Sequence, residues 1–472
     1  MAMELSRRQV LGRGAAFSMA FAGLHAVLAA ERSVAGLLRH TGTDAGYGPL
    51  LLDPARVLDL PEGFSYTVIS RAGDPMDDGL VTPGQPDGMA TFPGPNGKTL
   101  LVRNHELEAS WLAKSPFGSA NERLGAVDAT RIYDRGFGTL PSLGGTTTLV
   151  YDPATRRVER CWMSLAGTNR NCAGGPTPWG SWLSCEEDVS TPDAQTEKLH
   201  GYVFEVPASA EMGLADPHPI REMGRFMHEA VAVDPATGIV YLTEDRGDGL
   251  LYRFLPADRS GRLGSLSKGG RLQALAIKGA DGFDTRNRKQ TAVAVGSRLP
   301  VRWFDVDPEA PKDEMRSREH ANGAALFARG EGMWQGRDGV YFVCTEGGVA
   351  STGQLWRYRP SAAEGKLGEE EAPGLLELFV EPNDPDVLQS PDNLTAAPWG
   401  DLILCEDSIF KDRKVQHLAG VTPEGRVYRL ARNAKSSSEF AGVTFSPDGS
   451  TLFVNLQGDG LTLAINGPWR RA

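Results

Sequence analysis

Six times along the chain a residue of metal-ligating type is answered 14 to 19 positions later by another polar residue. Asp87 is answered by Glu106, Cys172 by Glu186 with Glu187, Glu229 by Glu244 with Asp245, Glu331 by Glu346, Asp392 by Glu406 with Asp407, and Glu439 by Asn455. Carboxylates brought together repel one another and take up protons unless cations neutralise them. Such oxygen donors suit Ca2+, Mg2+, Mn2+ or Fe3+, and one thiolate among them, from Cys172, adds a transition metal to the set. For any single glutamate a turn cap, or an ion pair with Arg103, Arg246 or Arg329, is the plainer role. Five of the six repeats end on Glu, however, and that regularity favours a shared metal-binding purpose.

The elements that must position these residues are legible between them. Each pair brackets two short apolar runs around a Pro/Gly turn, as in FPGPNGKTLLVRNHE ending at Glu106 and HEAVAVDPATGIVYLTED ending at Asp245. The spacing suits a hairpin with about six residues per strand, whose two ends lie at one sheet edge. A third strand follows in TTTLVYDP, GYVFEVP, LLYRFLP, QLWRYRP and RVYRLAR, and a fourth in VERCWMSL, PIREMGRF and LLELFVEP. The pattern predicts an all-β chain: a six-bladed β-propeller of four-stranded antiparallel blades. Phe64–Ser70 would be the outer strand of the last blade, so that an N-terminal strand closes the ring and removes a free edge. The first strand of each blade would line the central channel, turning the opening and closing residues toward one small volume. Residues 31–60 read as an irregular lead-in, and 107–144, 188–200, 256–300 and 360–373 as long loops.

Ser6-Arg-Arg-Gln-Val-Leu11, followed by an apolar run from Ala15 to Ala30 that ends in small residues, fits a twin-arginine export signal over residues 1–30. The reading is a periplasmic or secreted protein, delivered by the twin-arginine export machinery, with residues 31–472 as a single β-propeller domain and a monomer expected. No other stretch approaches the ~18 apolar residues of a membrane span. A net charge of −11 argues against a nucleic-acid surface, and a phosphate-handling site on such a chain needs metals or clustered arginines. Cys161, Cys185, Cys344 and Cys405 fall inside strands and read as small buried apolar residues. His105 and His228 sit beside Glu106 and Glu229, so strand alternation sends one of each pair away from the channel. His200 and His417 read as surface residues. Gly-x-Ser-x-Gly, Walker and Rossmann signatures do not occur.

The stretch from Asn169 to Glu187 (NRNCAGGPTPWGSWLSCEE), with Arg103-Asn-His-Glu106, Met227-His-Glu229, Arg329-Gly-Glu-Gly332 and Ser390-Pro-Asp-Asn-Leu394, resembles the PhoX-type alkaline phosphatases. The resemblance implies a propeller that carries an oxo-bridged pair of Fe3+ ions with Ca2+ and hydrolyses small-molecule phosphate monoesters outside the cytoplasm. It makes Cys172 the thiolate ligand and Glu106, Glu229 and Glu331 further ligands, with Glu186, Glu187, Glu244, Glu346, Asp392 and Glu406 following. Arg329 would bind the substrate phosphate, assisted by Asn104. The chain looks shorter than the best-known members of that family. Two rivals stand beside this reading. One is a calcium-dependent propeller hydrolase such as a lactonase, with no role for Cys172; the other is a non-catalytic exported propeller stabilised by metals.

Overall fold

All six expected hairpins form. The computed structural model describes residues 46–309, 312–408 and 415–470, so the twin-arginine stretch at residues 1–30 lies outside the described residues. The inner strands of the hairpins are Pro86–Pro93, Asn171–Pro176, His228–Val233, Gly330–Gln335, Pro391–Ala396 and Phe440–Phe445. Each pairs antiparallel with the strand that follows it, and the six inner strands pack side by side around one axis, the last against the first. Small residues make this close packing feasible. A Cβ on Gly88 would lie 2.5 Å from the Cα of Ala173, and one on Gly332 would lie 2.6 Å from the carbonyl oxygen of Asp392.

The sheets are four blades and one larger sheet, which corrects the expectation of six separate four-stranded blades. Pro86–Pro93, Thr99–His105, Gly144–Asp152 and Arg157–Thr168 form the first blade, and Asn171–Pro176, Ser181–Glu186 and Val203–Pro207 a three-stranded second. The fourth strand expected from PIREMGRF is instead a 3-10 turn, Arg221–Met223, because Pro219 precedes it and Gly224 follows with a φ of +89° that a strand does not adopt. The third and fourth hairpins belong to one nine-stranded sheet. Its fusing element is Arg298–Val306, which pairs with Gly270–Ile277 on one side and Leu375–Val380 on the other. The two ends of this sheet, His228–Val233 and Gly330–Gln335, meet again at the axis, so that it nearly closes on itself.

The fifth hairpin is extended by two strands from the segment read as irregular, Leu58–Pro61 and Leu50–Leu51, giving six strands. In the last blade Ser65–Arg71 pairs along Leu461–Asn466, so an N-terminal strand does complete the sheet formed by the C-terminal hairpin. Apolar layers such as Leu183, Val231, Leu242 and Phe254 fill the space between neighbouring sheets. Each such side chain contributes about 1.5–3 kcal/mol by leaving water. Among the described residues no helix is long and apolar enough to cross a membrane.

Candidate metal centre

Every inner strand is irregular at the same place. The pairing register shifts between Pro86 and Met89, Asn171 and Gly174, His228 and Val231, Gly330 and Met333, Pro391 and Leu394, and Ala441 and Thr444. A β-bulge sets two residues opposite one and re-aims the first of them. The residues so re-aimed are Asp87, Cys172, Glu229, Glu331, Asp392 and, in the last blade, Gly442.

A second ring is defined by the backbone. The N–H of Glu106, Glu187, Asp245, Thr345, Asp407 and Gln457 donates to the carbonyl at the head of the same hairpin, respectively Gln85, Arg170, Met227, Arg329, Ser390 and Glu439. These six are therefore the closing residues that stand at the axis. Asp87, Glu106 and Cys172 bring their ligand atoms within 4.8 Å of one another; Cys172, Glu187 and Glu229 form a second such group, and Glu229, Glu331 and Asp392 a third. The Cys172 Sγ lies 3.1 Å from Glu187 Oε2. Gln457 Nε2 donates to Asp87 Oδ2 at 2.8 Å and to Glu106 Oε2 at 2.9 Å, which ties the last hairpin to the first.

The ring of β-hairpins thus carries a buried thiol shared between two groups of axial acids, and the family model for alkaline phosphatase PhoX matches residues 45–460. The chain belongs to the PhoX family of alkaline phosphatases, which are phosphoric monoester hydrolases. Among solved structures, Pseudomonas fluorescens PhoX in complex with vanadate, a transition state analogue, shares 17% identity, with a TM-score of 0.64 over 89% of this chain and 98% of that one. A gluconolactonase from Xanthomonas campestris is 13% identical, with a TM-score of 0.35 over 91% of this chain and 99% of that one. No curated protein matches the sequence.

Four of the acids expected at the axis of this PhoX member lie elsewhere. Glu186, Glu244 and Glu406 are still within their strands, opposite Asn171, His228 and Pro391, and alternation turns them away from the axis. Glu186 accepts from the N–H of Gly201 at 2.9 Å and Tyr202 at 3.2 Å, and Glu244 from the N–H of Leu250 and the hydroxyl of Tyr252, both at 3.1 Å. Glu406 accepts from the N–H of Gln389 and His417, both at 3.1 Å, and pairs with Arg429 at 2.5 Å. Glu346 stands one place beyond the closing residue Thr345 and pairs with Arg288 at 2.7 Å near the surface. Asn104, expected to assist with phosphate, is fully buried and fully used. It donates to the carbonyls of Cys172 (3.1 Å) and Ala173 (2.7 Å) and accepts from Trp182 Nε1 and Ser184 Oγ, both at 2.8 Å. An amide has two donors and two acceptor sites, so Asn104 holds the Cys172 strand and has nothing left for a ligand.

Both ring histidines face away from the axis. His105 contacts the Gly84 carbonyl and Thr147, and His228 contacts the Gly224 carbonyl and stacks on Phe226. Burial lowers the pKa of each and keeps it neutral. Arg170 escaped the sequence reading although it lies inside the quoted motif, two residues before Cys172; its Nη2 donates to Glu106 at 2.7 Å and Glu187 at 2.5 Å. Arg329 Nε and Nη2 grip Asp245 at 2.9 and 2.8 Å, and Nη2 reaches Glu331 at 2.8 Å.

The electrostatics ask for cations. Burial first, and neighbouring carboxylates second, raise Asp87, Glu229, Glu331, Asp392 and Glu439 well above the usual carboxyl range. The same causes lift Glu187 to about 8 and raise the Cys172 thiol well above its ordinary value. Asp87 Oδ1 is buried with no hydrogen-bond partner among the described residues. Convergent oxygens, one sulfur and an orphaned carboxylate oxygen fit hard cations with a transition metal beside Cys172.

His200, read from sequence as a surface residue, is buried between Glu186 (2.7 Å) and Asp134 (3.3 Å). Burial opposes its charge, but the two carboxylates prevail and push it up to about 10. Because the folded value exceeds the ordinary one of about 6.5, this stabilisation is complete below about pH 6.5 and is lost as pH rises through the folded value. His200→Gln should therefore destabilise the fold at pH 6 by about 3–5 kcal/mol. Thermal melts of parent and variant from pH 6 to pH 10 should show the gap narrowing; a constant gap would contradict the assignment.

Proposed function

We propose that this chain hydrolyses phosphate monoesters at a metal centre held on the ring axis by Asp87, Glu106, Cys172, Glu187, Glu229, Glu331 and Asp392. The observation that carries the reading is the sharing of Cys172 and of Glu229 between neighbouring ligand groups, which suits several cations side by side. Fe3+ near the thiolate and Ca2+ among the remaining oxygens is the set we favour. Cations in these places would neutralise the charge on the phosphoryl oxygens and polarise the ester.

The chain's own residues do the rest. Arg329 is held in a left-handed conformation (φ 56°) by the carbonyl of Arg246, which accepts its N–H at 2.9 Å, and by the N–H of Thr345, which donates to its carbonyl at 3.0 Å. Its grip on Asp245 fixes the guanidinium beside Glu331, where it can donate to a phosphoryl oxygen. Neither ring histidine is placed to act as nucleophile or base. The Pseudomonas fluorescens PhoX in complex with vanadate, a transition state analogue, supports a phosphoryl-transfer reading for a chain of this fold. Cys172 within two ligand groups weighs against the lactonase-like rival, which has no use for it. We further propose residues 1–30 as a twin-arginine signal, residues 31–472 as one propeller domain, a periplasmic or secreted location, and a monomer.

The test is hydrolysis of a chromogenic phosphate monoester by the purified protein before chelation, after chelation, and after return of iron and calcium. Turnover that disappears and returns supports the proposal. Turnover that survives complete metal removal, or none in a metal-replete protein, would overturn it.

A further inference from the structure

Arg170 and Arg329 occupy equivalent places in the second and fourth hairpins. Each lies two residues before the bulge residue, with φ of 46° and 56°. The N–H of each donates to the residue just past the preceding hairpin's axial acid, Leu107 at 3.1 Å for Arg170 and Arg246 at 2.9 Å for Arg329. The carbonyl of each accepts from its own hairpin's closing residue, Glu187 at 2.9 Å and Thr345 at 3.0 Å. Gln85 and Ser390, with φ of 47° and 43°, hold the same place in the first and fifth hairpins, so the left-handed turn belongs to the hairpin head and what sets Arg170 and Arg329 apart is the guanidinium each carries there. The two arginines bracket the Cys172, Glu187 and Glu229 group, and their side chains keep 32% and 25% of their surface open to solvent.

Their donors are committed differently. The Nε and Nη2 edge of Arg329 is filled by Asp245 and Glu331. Arg170 uses Nη2 alone on Glu106 and Glu187; its Nη1 is 3.9 Å from Glu108, and its Nε is buried with no partner among the described residues. The Nη1 end, which makes no hydrogen bond among the described residues, is the part of the guanidinium left to a ligand oxygen at the solvent-open mouth.

Resting on the phosphatase reading, we propose that Arg170 is a second substrate-binding residue, which donates from Nη1 to a phosphoryl oxygen of the bound monoester. Arg329 then holds the centre's geometry and contacts the phosphoryl group from the other side, while Arg170 supplies the donors that remain open.

The experiment is calorimetric titration of inorganic phosphate into metal-replete parent, Arg170→Gln and Arg170→Lys, with metals per chain, KM and kcat measured on the same samples. Arg170→Gln should weaken phosphate binding and raise KM about 10- to 100-fold at unchanged metal content. Arg170→Lys, which keeps the charge but not the planar fork, should recover part of the loss. Phosphate affinity equal to the parent's in both variants would overturn the assignment, as would a loss fully accounted for by missing metal. A parent that binds phosphate through Arg170 yet hydrolyses no monoester would sink the phosphatase reading and leave this one standing; a parent that binds no phosphate would sink both.

Discussion

Cys172→Ser is expected to lose the metal ion nearest the thiolate and to lower phosphomonoester turnover by at least about 100-fold, since even partners that only orient a ligand are worth about 10- to 100-fold. The geometry makes this one of the two most damaging single-atom changes at the axis. Cys172 belongs to both the Asp87 and Glu106 group and the Glu187 and Glu229 group, so one sulfur serves two sites. Serine keeps the branching and is only slightly smaller, and the bulge is secured independently by the two hydrogen bonds from Asn104. The fold should therefore survive, and metals per chain together with kcat are the quantities to read. Burial and four surrounding acids raise the thiol's pKa, so the thiolate forms only against a cation. Metal uptake should release protons and weaken as pH falls. A Cys172→Ser protein with full metal content and full activity would remove the thiol from the account.

Glu229→Gln is expected to be as damaging, for the parallel reason that Glu229 is shared by the Cys172 and Glu187 group and by the Glu331 and Asp392 group. Turnover should fall by at least about 100-fold, whereas Asp392→Asn, which touches one group, should fall less. The metal-stripped protein should respond in the opposite direction. Glu229 has its carboxyl raised well above the usual range by burial and then by Glu331, Asp392 and Glu187. A raised carboxyl opposes folding at any pH above its unfolded value of about 4.3. Removing it should raise the melting temperature of the chelated protein at pH 7 while abolishing the gain on metal addition. Equal losses of turnover for Glu229→Gln and Asp392→Asn would show that sharing is not what matters.

The hairpins and their axial residues were legible because the repeat carries two signals at once, a turn flanked by apolar strands and a polar residue at each end. The opening residues Asp87, Cys172, Glu229, Glu331 and Asp392 come to the axis as expected. In three hairpins the closing residue is one place beyond the glutamate that ends the apolar strand. Alternation along a strand distinguishes Glu186 from Glu187, Glu244 from Asp245 and Glu406 from Asp407, as it does His105 from Glu106 and His228 from Glu229. In the last hairpin the closing residue is Gln457, two places beyond Asn455, because the pairing there runs further before it ends. Blade boundaries were less legible, since long-range pairing decides whether Arg298–Val306 edges one sheet or joins two. Arg170 was hidden by its own motif, where the cysteine and glycines drew the chemistry. Its left-handed φ and its equivalence to Arg329 are properties of the folded backbone.

The most direct measurement is elemental analysis of the protein as isolated, with metal content expressed per chain. Iron and calcium are expected together, retained through purification and released by chelation with loss of turnover. A folded protein that carries neither, and takes up neither when offered them, would contradict the claim that the axial acids and Cys172 form a metal centre.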